Sequence, residues 1–305
     1  MATRAARPAT ALAIATAGTL LGPLVLGSAV ATTIAGIVDV ERDDAIEVVT
    51  AGLLAALVWN GFTWLRGIPS SASHALVGGL GGAAIAAAGV EAVDWGGFDG
   101  WRPTGIGGTL LALAIAPLAG ASAAYAAFGI ARRALRRATR RVERPIRRTE
   151  WLMAGFLAVS QGANDAQKSI GVIALVLLAN GTTSSIAASF WATLVAALAM
   201  AAGTLLGGWG IVRTIGRRIY PLRALDSLTS QSGSAAVIFV SSLAGAPVSA
   251  THVVASSVVG VGGGRRGWGR IRWAVVREIA LAWLTTIPAT AALAAALFGL
   301  WRLLT

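Results

Sequence analysis

One stretch of this chain places ionisable side chains inside an otherwise apolar run. Residues Ser160-Gln161-Gly162-Ala163-Asn164-Asp165-Ala166-Gln167-Lys168-Ser169 sit between Leu-rich and Ala-rich flanks. An ionised aspartate at membrane depth costs about 3 kcal/mol or more, and persists where it faces a cavity, meets a counter-charge or handles an ion. Lys168 follows Asp165 by three residues, so the two share a helix face. It is also the only lysine; the other 24 basic residues are arginine. Lysine is a compact point charge that responds to burial, whereas arginine is a permanent planar cation. The pair reads as an ion-handling centre or as a structural ion pair, with Asn164 and Gln167 adding amide groups at the same depth.

A second chemistry lies in two short matching stretches. Gly67-Ile68-Pro69-Ser70-Ser71-Ala72-Ser73-His74 and Gly245-Ala246-Pro247-Val248-Ser249-Ala250-Thr251-His252 both read G-x-P-x-S-A-[S/T]-H, at an offset of 178 residues. Gly and Pro interrupt a helix at membrane depth, and such breaks are tolerated only where the chain lines a cavity or packs in protein. A helix restarting there aims its first N–H groups and the hydroxyls of Ser71, Ser73, Ser249 and Thr251 at one spot, an arrangement suited to an anion. The bland alternative is a duplicated structural turn, in which Gly67, Pro69, His74, Gly245, Pro247 and His252 only set the bend. Hydroxyl turns and a charged centre together suit a small oxyanion with a cation.

These residues have to be positioned by membrane helices. The 305 residues are 56% hydrophobic and only 12% charged, against roughly a quarter charged in soluble domains; mean hydropathy is +0.72. Apolar segments at 9–38, 48–65, 73–90, 104–131, 149–180, 184–210, 227–243, 248–263 and 273–300 are separated by charged loops. Crossing hydrocarbon takes about 20 apolar residues in helix. Many glycines and alanines supply the small residues that let such helices approach closely. The expected class is an all-α polytopic protein of the cell membrane.

Charge sorts the loops. Segments 132–148, 213–223 and 265–277 hold nine, four and five arginines, while 39–47 and 91–103 hold one each. The positive-inside rule puts the first three in the cytoplasm with Arg4 and Arg7, and the last two outside. With the basic residues in loops, the net charge of +12 points to the bilayer and not to nucleic acid. The chain has no cysteine and two histidines, which removes thiol chemistry, disulfides and a His-rich metal site. No nucleophile–base set appears, so neither an enzyme nor a cofactor is expected.

With that topology the two Gly-Pro-Ser copies lie in oppositely oriented hairpins. Inverted repeats around a midplane site, with broken helices, are an architecture of secondary transporters. The expected organisation is a first repeat over 1–131, a basic cytoplasmic linker over 132–148, and an inverted second repeat over 149–305. Segment 149–180 finds no counterpart 178 residues earlier, so the first repeat is expected to lack its opening span.

The motif Gly162-Ala-Asn164-Asp165-x-Gln167-Lys168, the paired P-x-S-A-[S/T]-H turns and the stretch Trp59-Asn-Gly-Phe-Thr-Trp64 resemble the inorganic phosphate transporter (PiT) family, bacterial low-affinity branch. The resemblance runs along nearly the whole chain. It implies phosphate uptake through an inverted-repeat fold, coupled to protons or sodium, with a neutral metal–phosphate complex as a form of the cargo. By position it assigns Asn164, Asp165, Gln167 and Lys168 to the substrate and ion site, Ser71, Ser73, Ser249 and Thr251 to the phosphate oxygens, and His74 and His252 to orienting the turns. A fixed charge at Lys168 favours protons over sodium. Family members carry a further hydroxyl where this chain has Ala72 and Ala250, and an Asn/His-Asp signature in an opening span that this sequence lacks. Sulfate is the rival substrate, and a non-transporting membrane component, compatible with a homo-oligomer, is the rival role.

Overall fold

In the computed structural model, residues 8–100, 102–138, 142–183 and 189–304 are described. The expectations for Arg4 and Arg7, and for parts of 132–148 and 184–210, fall outside them. The described residues form a bundle of α-helices with one small hairpin, Phe98–Asp99 against Arg102–Pro103, in the loop before the fifth helix.

The two Gly-Pro-Ser stretches fold alike because each residue has a local duty. Helix α3 (Arg42–Leu65) and helix α9 (Ala224–Leu243) both end in a left-handed glycine, Gly67 at φ 65° and Gly245 at φ 73°. At each, two backbone N–H groups fold back on the last turn: Gly67 to the Trp64 carbonyl and Ile68 to Thr63, then Gly245 to Ser242 and Ala246 to Ser241. This is a Schellman closure, which suits a residue without a Cβ. Pro69 and Pro247 follow and cannot continue a helix. Ser71 and Ser249 then cap helices α4 (Ala72–Ala88) and α10 (Ala250–Arg266), each hydroxyl accepting from the backbone N–H three residues on, His74 at 3.1 Å and His252 at 3.4 Å.

Helices α5 (Gly105–Ala134) and α11 (Trp273–Leu304) are long, with Pro117 and Pro288 inside them. The packing is crossed: α4 lies on α11, and α10 lies on α5. Small residues set both contacts. A Cβ on Gly82 would meet the Ala291 carbonyl oxygen at 2.3 Å, and one on Gly260 would meet that of Ala121 at 2.1 Å.

Helix α6 (Glu143–Ala179) carries the charged motif without a break and packs against α1 (Pro8–Val25), α2 (Ala29–Ala35), α7 (Phe190–Leu206) and α9. Helix α8 (Trp209–Arg213) runs into a π-helical turn, Thr214–Ile219, and this unit is bent 65° from α7. Helices α1 and α7 share a pentapeptide, Gly18-Thr19-Leu20-Leu21-Gly22 and Gly203-Thr204-Leu205-Leu206-Gly207. They touch through it, with the Thr19 and Thr204 hydroxyls 3.3 Å apart. The α1 copy is covered by α6: a Cβ on Gly22 would meet the Val159 oxygen at 2.3 Å. The α7 copy lies open, with nothing near a Cβ on Gly203. It lines a groove of about 490 Å³ shared with Ala11, Leu12, Trp64, Gln161 and Trp209.

Helices α1, α3, α5 and α11 are long and apolar enough to cross a membrane, and α7 with its bent continuation makes a fifth span if taken as one. Large apolar side chains point outward along them, among them Leu57, Leu118, Leu284 and Leu303. In water these would be unfavourable at roughly 25 cal/mol per Å²; against lipid they are at home. The stretch 9–38, expected as one span, is two helices broken at residues 26–28, where Gly27 has φ 38°.

Candidate functional site

The ends of both broken helices meet at Asp165 and Lys168. The Lys168 ammonium donates to Asp165 Oδ1 at 2.6 Å, to Ser73 Oγ on α4 at 2.7 Å, and to the Val248 carbonyl in the α9–α10 break at 2.6 Å. Lys168 is 5% exposed, while the Asp165 side chain keeps 24%. The shared helix face thus holds a real ion pair, and the amine also ties both breaks to α6.

The breaks are bonded to each other reciprocally. Ser73 donates to the Val248 carbonyl at 3.2 Å, and Thr251 donates to the Ser70 carbonyl at 2.9 Å. Residues 73 and 251 occupy the same position of the two copies, as do 70 and 248. The rings of His74 and His252, equivalent again, lie with centroids 4.6 Å apart. Ser249 and Thr251 hydroxyls are 2.9 Å apart, and Ser71 Oγ lies 2.7 Å from His74 Nδ1. Ser71, Ser73 and Ser249 are buried, and Thr251 is half-buried. All four expected hydroxyls therefore converge, and each is engaged with protein groups.

Asn164 faces the second break, donating to Ser242 Oγ at 3.0 Å and to the Ala246 carbonyl at 3.4 Å. Its Oδ1 is buried with no hydrogen-bond partner among the described residues. Gln167 behaves differently from its neighbours. Its Oε1 accepts from the Val30 N–H at 2.8 Å and its Nε2 donates to the Leu26 carbonyl at 2.6 Å. The amide clamps the α1–α2 break, satisfying backbone groups that a broken helix leaves bare.

Thr286, Trp283 and Thr33 contribute without any signal in the sequence. Ser70 lies 3.2 Å from Thr286 Oγ1, and Trp59 Nε1 donates to both. Trp283 Nε1 donates to the Pro69 carbonyl at 2.9 Å and its ring packs against His252 at a tilt of 34°. Thr33 on α2 donates to the Gly245 carbonyl at 2.7 Å. Apart from the Trp59–Ser70 bond, which spans 11 residues, these contacts join helices remote in sequence.

Residues 1–294 match the model of the phosphate transporter family. The chain belongs to the phosphate transporter family. A Mycobacterium bovis protein titled "Probable low-affinity inorganic phosphate transporter" is 39% identical over 303 residues, covering 98% of this chain and 70% of that protein. A Bacillus subtilis protein of the same title is 33% identical, covering 97% of this chain and 87% of its own length. A solved structure titled "The sodium-dependent phosphate transporter" superposes with TM-score 0.87 at 23% identity, over 99% of this chain and 92% of that one. Membership in this family makes the chain a multi-pass membrane protein of a transporter class, not an enzyme.

Proposed function

We propose that this chain moves inorganic phosphate across the cell membrane by proton symport and alternating access, within an inverted-repeat fold. The two copies span 1–131 and 149–305 and are joined by the basic segment 132–148. The observation that carries this is the reciprocal bonding of the two caps: Ser73 to Val248 and Thr251 to Ser70, around the Lys168–Asp165 pair. A contact in which residue i of one copy meets j of the other, and j meets i, is what two-fold related surfaces produce. The crossed packing of α4 on α11 and α10 on α5, and the contact of Thr19 with Thr204, repeat the pattern.

Phosphate is assigned to the caps. Two helix starts there present N–H groups, and Ser71, Ser73, Ser249 and Thr251 present hydroxyls. Ser73 and Thr251 each bond a carbonyl of the opposite break, so substrate replaces cap-to-cap bonds with cap-to-phosphate bonds, and the two hairpins then rock about the site. Asp165 is the proton carrier: it is the partly exposed acid of the pair, and a proton on it leaves the Lys168 charge free to attract an oxyanion. Asn164, with an unsatisfied Oδ1, belongs to the same site. Gln167 is reassigned from substrate binding to holding the α1–α2 break.

Uptake of radiolabelled phosphate by the purified chain in liposomes tests this. An inward proton gradient should drive accumulation, collapse of the gradient should abolish it, and unlabelled phosphate should compete better than sulfate. Preferential competition by sulfate would reassign the substrate. No uptake under any gradient would favour the non-transporting component.

A further inference from the structure

A row of polar side chains runs along α9 toward the site. Ser227, Gln231, Ser234 and Ser242 follow one another at spacings of four, three and eight residues, which puts them on one helix face. At the site end Ser242 accepts from Asn164 of α6; at the loop end Asp226, beside Ser227, meets Arg265 of α10. Helices α6 and α10 both pack on α9 but, among the described residues, scarcely on each other, so the row lies along a seam between them. Thr229, Ser232 and Ser242 turn their hydroxyls back on carbonyls of their own helix, as such residues do inside membranes. Ser234 does not. It is fully buried, and its Oγ has no hydrogen-bond partner among the described residues; nor has Gln231 Oε1 or Asn164 Oδ1. Polar residues that glue membrane helices together are bonded across them. Three buried polar atoms left open in one seam call instead for water or a polar solute. The first repeat has no such row: 178 residues earlier, Ser227, Gln231 and Ser234 become Val49, Leu53 and Ala56 of α3.

We propose that phosphate passes between the site and the cytoplasm along this row, from Asn164 and Ser242 past Ser234 to Gln231 and Ser227. The proposal rests on the assignment of phosphate to the caps, and it adds the route by which the ion leaves them. Helix α9 starts just after the loop 213–223, whose four arginines assign it to the cytoplasm. Neutral hydroxyls and amides suit transit. Each can both donate and accept, so an oxyanion and water exchange places along the row without a fixed charge to trap the ion. The one cation at the loop end, Arg265, is already paired with the buried Asp226. The apolar face of α3 offers no such exchange at the equivalent positions, so the outer half of the route does not mirror the inner one.

The test uses the full chain, which has no cysteine of its own, with Ser227→Cys, Ser234→Cys or Ala56→Cys introduced singly in right-side-out and inside-out membrane vesicles. A membrane-impermeant, positively charged methanethiosulfonate should label Ser227→Cys and Ser234→Cys from the cytoplasmic side only. Saturating phosphate should slow labelling of Ser234→Cys about tenfold, and Ala56→Cys should stay unreactive from either side. Ser234→Ala should lower the maximal uptake rate about fivefold, the weight of one hydrogen bond, and Ser234→Thr should restore it. The thermal midpoint of Ser234→Ala should not fall, because the hydroxyl has no protein partner to lose; a structural serine would lower it. Ser234→Cys that is silent from the cytoplasmic side, or no more reactive than Ala56→Cys, overturns the proposal, as does Ser234→Ala with an undiminished rate. Protection by phosphate at Thr251→Cys but not at Ser234→Cys leaves the cap site standing and overturns the route. Protection at neither position overturns the cap assignment and the route with it.

Discussion

At the scale of single residues, hydrogen-bond partners and not burial set Gln167 apart from its equally buried neighbour Asn164. Gln167 uses both ends of its amide on backbone groups of the α1–α2 break. In Gln167→Leu the buried Val30 N–H loses its partner, at about 1–3 kcal/mol, and the part-buried Leu26 carbonyl loses one too, at less. Thermal unfolding in detergent should show that loss, while the competition of sulfate against phosphate stays unchanged. Asp165→Asn should act the other way: proton-driven uptake disappears, and the destabilisation is partial because the carboxylate is partly exposed. The motif 160–169 was legible as a charged intramembrane centre because Asp and Lys are costly at that depth wherever they point. The distinct duty of Gln167 was not legible, since an amide next to a charged pair looks the same whether it faces substrate or a broken helix 137 residues away.

At the scale of elements, close approach and ion pairs predict unequal responses at look-alike positions. Gly18 and Gly203 open the two copies of the shared pentapeptide, yet a Cβ would meet the Ala158 Cβ at 2.5 Å at one and open space at the other. Gly18→Ala should lower stability by about 1–3 kcal/mol through overpacking. Gly203→Ala should be neutral or gain up to about 1 kcal/mol from helix propensity. Matching losses at both positions, read by thermal unfolding, would show that the groove on α7 is closed. The ion pairs divide similarly. Arg265 meets the fully buried Asp226, which also caps α9 through the Arg223 N–H, whereas half-exposed Arg302 meets Asp44 and Glu47. Arg265→Ala should cost about 3–5 kcal/mol by leaving a buried charge, and Arg302→Ala no more than about 1 kcal/mol. The two Gly-Pro breaks could be read in the sequence because glycine and proline interrupt a helix locally, whereas the caps by Ser71 and Ser249 look in sequence like hydroxyls meant for substrate. The breaks at 26–28 and 207–208 have no proline and are held by distant groups, so 9–38 and 184–210 read as single runs. The paired Gly-Thr-Leu-Leu-Gly stretches sit at an offset of 185, and a register of 178 passes over them.

At the scale of the whole molecule, the central claim is that the two caps are one phosphate site shared by two oppositely oriented halves. The chain has no cysteine, so a single introduced thiol reports on its own position without background. Thr251 suits this purpose: it is half-buried, and its hydroxyl bonds the opposite break. The decisive measurement is the rate at which a small methanethiosulfonate reagent labels Thr251→Cys in liposomes, with and without phosphate. Phosphate should slow labelling by about tenfold at saturation, as a bound ligand occupying its site does, sulfate should do so less, and Asp165→Asn should remove the protection. A labelling rate that ignores phosphate in a protein that still transports it would place the substrate elsewhere and contradict the account.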